Sequence, residues 1–173
     1  MEKIFYTHKS VYPDSESALQ RILTDFFGIT DAKIARLKTG KPYLSNYPNL
    51  FFSVSHTDGM LFFAFSDENV GIDAEANGRD VDYVTVSKRF SPVERAEITD
   101  KSTFLRHWTA LESAVKWLGG SLAKDLRKLR FEKNTLFYGE IELPVHVCFF
   151  QIAEHTVCVC GERDFSGTEQ IVF

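Results

Sequence analysis

Ionisable side chains fall close together in four short stretches of this 173-residue chain. Asp73 and Glu75 stand two apart in Val70-Gly71-Ile72-Asp73-Ala74-Glu75, so on an extended strand both carboxylates leave the same face. Two like charges among apolar neighbours are costly unless a cation lies between them. A hard divalent ion such as Mg²⁺ suits that place, because Mg²⁺ is commonly held by a few carboxylates together with the phosphates of a substrate. Glu112 and Lys116 are four apart, and Trp108 is four before Glu112, so on a helix all three share one stripe. Glu112 could then be a third carboxylate ligand or a base, and Lys116 a phosphate partner. His56 follows Ser55 at the end of an apolar run. Lys41 stands between Gly40 and Pro42, where a glycine lets backbone close on an anion. Each group also fits a plainer role: an exposed strand face, a helical surface pair worth about 0.3–0.5 kcal/mol, a structural histidine, a solvated lysine.

The surrounding pattern supplies strands and helices for these side chains. Residues 3–8 read as an opening strand, followed by a helix from Ser15 or Ser17 to about Phe27, with Gly28 as its stop. Ile34 and Leu37 suggest a strand ended by Gly40-Lys41-Pro42. Phe51–His56 and Met60–Phe65, joined by Thr57-Asp58-Gly59, have the form of a strand–turn–strand unit, and Val70–Glu75 is a further strand. Beyond it, Asp80 or Asp82 caps a helix expected to reach about Phe90, and Ser91-Pro92-Val93-Glu94 has the form of a capping box with proline at the first helical position. Phe104, Trp108, Leu111, Val115 and Leu118 recur at helical spacing over Thr103–Leu118, before Gly119-Gly120. Leu129–Phe137, Val145–Ile152 and Thr156–Gly161 read as strands. The expectation is an α+β protein whose halves, residues 1–76 and 77–173, each pair helix with sheet.

Composition narrows the function. With 44% hydrophobic residues the chain can bury a core, which excludes a disordered class. Net charge is −4, without the basic surplus of a nucleic-acid footprint. No apolar run approaches the roughly 18 residues of a membrane span, and the first residues lack the apolar core of a secretion signal. A cytoplasmic location and no membrane partner are expected. Cys148, Cys158 and Cys160 are odd in number and lack metal-site spacing, which suits reduced, buried strand thiols.

Taken in order, Gly40-Lys41-Pro42-Tyr43, Phe52-Ser53-Val54-Ser55-His56-Thr57, Gly71-Ile72-Asp73-Ala74-Glu75, Arg89-Phe90-Ser91-Pro92-Val93-Glu94 and Trp108-Thr109-Ala110-Leu111-Glu112-Ser113-Ala114-Val115-Lys116 resemble the 4′-phosphopantetheinyl transferase superfamily, particularly its surfactin-synthetase-activating type. The resemblance covers about Gly40 to Gly120. It implies two similar α/β halves packed as a pseudo-dimer with the substrate between them. It implies transfer of the phosphopantetheine arm from coenzyme A to a serine of an apo acyl or peptidyl carrier protein, with release of adenosine 3′,5′-bisphosphate by a monomer. On this resemblance Asp73, Glu75 and Glu112 are the ligands of Mg²⁺, with Mn²⁺ as the alternative ion. Lys41, Ser55, His56 and Lys116 are coenzyme A contacts, and Glu112, Lys116 and His56 the catalytic residues. Lys33, Arg36 and Lys38 are the nearest candidates for the 3′-phosphate.

In one departure, Leu111 stands where the family usually has lysine. That favours the alternative of a degenerate transferase binding coenzyme A or a carrier without turnover. A third reading is a metal-dependent phosphoesterase, with water as the nucleophile. Carrier proteins are typically acidic, and residues 121–133 carry Lys124, Arg127, Lys128, Arg130 and Lys133 against Asp125 and Glu132, with Leu122, Leu126 and Leu129 interleaved. This stretch is the expected docking face.

Overall fold

The computed structural model describes residues 1–173. Strand β1 (Lys3–His8) leads to helix α1 (Ser15–Phe27), then β2 (Ile34–Arg36), β3 (Pro42–Leu44), β4 (Phe51–Thr57), β5 (Met60–Ser66) and β6 (Val70–Ala76). Short helices α2 (Tyr83–Ser87) and α3 (Pro92–Glu97) precede the long α4 (Lys101–Leu118) and one-turn α5 (Leu122–Asp125). Strands β7 (Leu129–Glu132), β8 (Thr135–Tyr138), β9 (Ile141–Glu142), β10 (His146–Ile152), β11 (His155–Gly161) and β12 (Gln170–Val172) complete an α+β fold.

Two sheets face each other. One has the order β12-β1-β5-β4, antiparallel except for the parallel β1–β12 pair, and the other the antiparallel order β10-β11-β6. Strand periodicity explains the layers. Phe62 and Ala64 on β5 meet Val70, Ile72 and Ala74 on β6 and Val157 and Val159 on β11 in the core between the sheets. The alternate residues Leu61, Phe63 and Phe65 turn outward onto Ala18, Leu19, Ile22 and Leu23 of α1. On the other side Cys158 and Cys160 turn onto Ala110, Leu111, Ala114 and Val115 of α4. The result is helix, sheet, sheet, helix.

Hydrogen bonding assigns β6 to the sheet with β11 and returns β12 to β1. The expected single strand over Leu129–Phe137 is a hairpin, because Lys133 and Asn134 both take positive φ. Helix α1 is capped by Asp14, whose side chain accepts from Ser17 N–H, and not by a serine; Asp82 caps a helix of five residues only. Leu37 lies in the turn between β2 and β3, and Pro42 starts a strand there instead of ending one. No helix is long and apolar enough to cross a membrane. All three cysteines are free thiols.

Candidate active site

Alternation on β6 sets the site. While Val70, Ile72 and Ala74 enter the core between the sheets, Gly71, Asp73 and Glu75 turn to the face that α4 covers. At Gly71 helix and strand touch backbone to backbone: a Cβ added there would lie 2.0 Å from the Ser113 carbonyl oxygen and 2.6 Å from the Trp117 nitrogen. This close approach lets the Lys116 ammonium donate to the Ile72 carbonyl at 2.9 Å and to Asp73 Oδ1 at 2.8 Å. Asp73 and Glu75 are 3% and 8% exposed, so the exposed-strand role is excluded.

Asp73 Oδ1 also accepts the Ser55 hydroxyl at 3.0 Å, whereas Oδ2 is buried without a partner. Glu75 pairs with Arg79, four residues along. Glu112 is half-buried, and its carboxyl is pushed up to about 8, by burial first and then by the charge of Asp73. Lys116 opposes that rise, Glu75 adds to it, and Arg79 opposes it. The three carboxylates therefore share one field, but their oxygens are not gathered into a ready cage of three ligands. Asp73 is held by Lys116 and Ser55, and Glu75 by Arg79. The chemistry of the set still suits a hard cation. One buried carboxylate oxygen has no donor, and Glu112 is disfavoured as an anion by burial first and then by the charge of Asp73.

Glu112 and Lys116 line a cleft of about 370 Å³ whose other wall includes Arg36, Lys41 and His56. His56 is exposed, and its imidazolium is disfavoured by partial burial and by the charges of Lys9 and Lys116. Lys41 lines the cleft with its ammonium engaged within the fold. Its ammonium donates to Asn69 Oδ1 at 2.8 Å, to Val70 O at 3.2 Å and to Trp117 O at 3.3 Å. Burial lowers it to about 8. With Thr39 donating to Gly119 O at 2.6 Å, Lys41 caps the carbonyl end of α4, where positive charge is favoured. Arg36 is exposed and bonds Gly40 O.

Three participants escaped the sequence reading. Arg79 is the partner of Glu75, and its spacing of four residues was the available signal. Ser53 accepts the Ile72 N–H at 3.1 Å, a role that its position two before Ser55 on one strand face could have suggested. Asn69 donates to Trp117 O at 2.6 Å and has no sequence signature. Leu111, the departure from the family pattern, is 1% exposed and packs with Phe131, Leu129 and Cys158, away from the cleft. The basic stretch exposes Lys124 on α5 and Arg127 and Lys128 in the turn after it, while Asp125 is turned inward to Ser121 N–H and the Tyr138 hydroxyl. Beside α5 lies a cavity of about 620 Å³ with Phe90, Trp108, Leu122 and Leu126 on its wall.

The 4′-phosphopantetheinyl transferase superfamily matches over residues 69–160, more than half of the chain. The chain is 25% identical over 145 residues to the 4′-phosphopantetheinyl transferase ffp of Bacillus subtilis, covering 77% of this chain and 64% of that protein. It is 28% identical over 135 residues to another 4′-phosphopantetheinyl transferase of Bacillus subtilis, covering 70% and 59%. With the L-aminoadipate-semialdehyde dehydrogenase-phosphopantetheinyl transferase of Mus musculus it shares 29% over 123 residues, 60% of this chain and 40% of that one. The chain thus spans less than two thirds of the length of these relatives. The matched segment holds β6, α4 and every acidic residue of the site, and the chain belongs to the 4′-phosphopantetheinyl transferase superfamily.

Proposed function

We propose that the chain transfers the 4′-phosphopantetheine arm of coenzyme A to a serine of an apo acyl or peptidyl carrier protein, acting as a monomer that depends on a divalent cation. The observation that carries this reading is the buried, unpartnered Oδ2 of Asp73 behind a cleft with basic walls that Glu112 and Lys116 line. Asp73, Glu75 and Glu112 are the residues that would hold Mg²⁺, or Mn²⁺. When bound, the ion supplies positive charge against the pyrophosphate oxygens and the leaving bisphosphate.

The protein's own part is positioning and charge neutralisation, which is most of what phosphoryl-type transfer asks. Lys116, Arg36 and His56 face the cleft and serve the phosphates of coenzyme A. Lys41 serves them chiefly by fixing the turn that carries Gly40. The carrier serine oxygen attacks the phosphorus bearing the pantetheine arm, and the bond from that phosphorus to the bridging oxygen breaks. Adenosine 3′,5′-bisphosphate leaves with the bond's electron pair, and the serine proton passes to Glu112. A carboxyl with a raised affinity for protons suits that last role. Lys116, one helical turn from Glu112, neutralises charge that builds on the attacked phosphate. The exposed cations of α5 and the turn after it, Lys124, Arg127 and Lys128, with the neighbouring apolar cavity, suit an acidic carrier with an apolar contact patch.

The test is a panel of apo carrier proteins incubated with coenzyme A and Mg²⁺ and read by mass. Gain of one phosphopantetheine arm on at least one carrier, abolished in Asp73→Ala, is the expected result. Binding of coenzyme A or carrier with no mass gain on any would identify a binding module instead. Adenosine bisphosphate released from coenzyme A with no carrier present would identify a phosphoesterase.

A further inference from the structure

We propose that Ser55 serves this site through Asp73 and not by touching coenzyme A: its hydroxyl aims the Asp73 carboxylate so that Oδ2 is the oxygen left for a cation. The inference rests on the metal-dependent reading given above. Ser55 is 3% exposed, and it is not on the wall of the cleft, although its neighbours Val54 and His56 are. Its O–H donates to Asp73 Oδ1 at 3.0 Å, and its oxygen accepts the Ala74 N–H at 3.2 Å. A hydroxyl has one proton to give, so a serine that spends it on Asp73 has none for a phosphate.

The consequence for Asp73 is an asymmetric carboxylate. Oδ1 receives two donors, from Ser55 and Lys116, while Oδ2 receives none and is buried. Strand β4 also grips the backbone on both sides of Asp73. Ser53 accepts from Ile72 N–H at 3.1 Å, and Ser55 from Ala74 N–H. These bonds run from side chains of β4 to the edge of β6 that β11 leaves free, so they join the two sheets where no backbone ladder does. Ser55 is thus a positioning residue that fixes both the main chain and the carboxylate rotation. Groups that orient a metal ligand in this way commonly govern affinity for the ion.

The experiment titrates Mn²⁺ calorimetrically into wild type, Ser55→Ala and Ser55→Thr, and separately titrates coenzyme A into each in EDTA. Melting temperatures are recorded alongside. Ser55→Ala is expected to weaken Mn²⁺ binding by about 10–100-fold and to leave coenzyme A affinity within about twofold. Ser55→Thr, which keeps the hydroxyl, is expected to recover most of the Mn²⁺ affinity. Should Ser55→Ala fail to fold, Ser55→Cys keeps the volume with a much weaker donor and takes its place. Loss of coenzyme A affinity with Mn²⁺ binding intact would make Ser55 a substrate contact and overturn the inference. So would a Ser55→Ala protein that binds both as wild type does. A wild-type protein that binds no Mn²⁺ would remove the metal reading itself, and this inference with it.

Discussion

The Lys116 ammonium lies 2.8 Å from Oδ1 of Asp73 and donates at the same time to the Ile72 carbonyl, so one side chain of α4 grips both the backbone and the carboxylate of β6. Asp73 is buried, and Lys116 is its only cationic partner. Removing the cation strands an anion, which costs more than the pair itself is worth. Lys116→Met is expected to lower unfolding stability by about 1–3 kcal/mol. The same change made in Asp73→Asn should cost clearly less, because no charge is then left alone. Urea unfolding of the four proteins in a double-mutant cycle measures the difference. Equal losses in both backgrounds would show that the pair is not coupled.

Gly71 is where α4 and β6 meet at backbone distance, and the atoms nearest an added Cβ are main-chain atoms with no freedom to swing aside. Gly71→Ala must push the helix away from the strand, and with it Glu112 and Lys116. A loss of about 1–3 kcal/mol or more is expected from overpacking of this kind, together with loss of the proposed transfer to a carrier. Gly78→Ala is the control, since a Cβ there meets nothing within 4 Å. If Gly71→Ala unfolds at the same urea concentration as Gly78→Ala, the backbone contact does not hold the site together.

The same glycine shows why part of the site could be read from sequence. In Gly71-Ile72-Asp73-Ala74-Glu75 a period of two places the glycine and both acids on one face, and a period near 3.6 places Glu112 and Lys116 together on α4. Local repeat alone therefore says which side chains emerge together. It does not say what they meet. Ser55, expected to contact coenzyme A, is turned by strand pairing toward Asp73, and Lys41 is drawn to carbonyls at the end of α4, 76 residues away from Trp117 in the chain. Those outcomes depend on how two sheets stack, which no local pattern encodes. The hairpin of β7 and β8 was hidden for a different reason: Lys133 and Asn134 reach positive φ without the glycine that marks such turns.

Leu111 bears on whether the departure from the family pattern weakens the proposed activity. Its side chain fills the core between α4, β7 and β11, so no charged group belongs to the cleft at this position. Restoring the family residue should therefore do harm. Leu111→Lys forces an ammonium into apolar surroundings or the helix out of register, and a loss of roughly 3 kcal/mol or more is expected. Thermal melting together with the carrier-labelling rate tests this. A Leu111→Lys protein that melts as wild type does and labels faster would mean that the position opens to the cleft.

Glu112 gives the protein a pH dependence of calculable sign. Its folded carboxyl is raised from 4.5 to about 8, by burial first and then by Asp73. Between those values the folded protein keeps a proton that the unfolded chain has released, so native binds more protons than unfolded. Stability from this group is fully present below about 4.5, declines as pH rises across the window, and is lost above about 8. Glu112→Gln cannot titrate and lacks the slope. In EDTA, the stability of wild type relative to Glu112→Gln should therefore fall steadily from pH 5 to pH 8, as read by urea midpoints at each pH. Adding Mn²⁺ at pH 7 should then release protons from wild type and fewer from Glu112→Gln, since a ligand carboxyl must ionise to bind. A flat difference across the pH range would mean that Glu112 is already ionised in the folded protein, and that the charges of Asp73 and Glu75 do not bear on it.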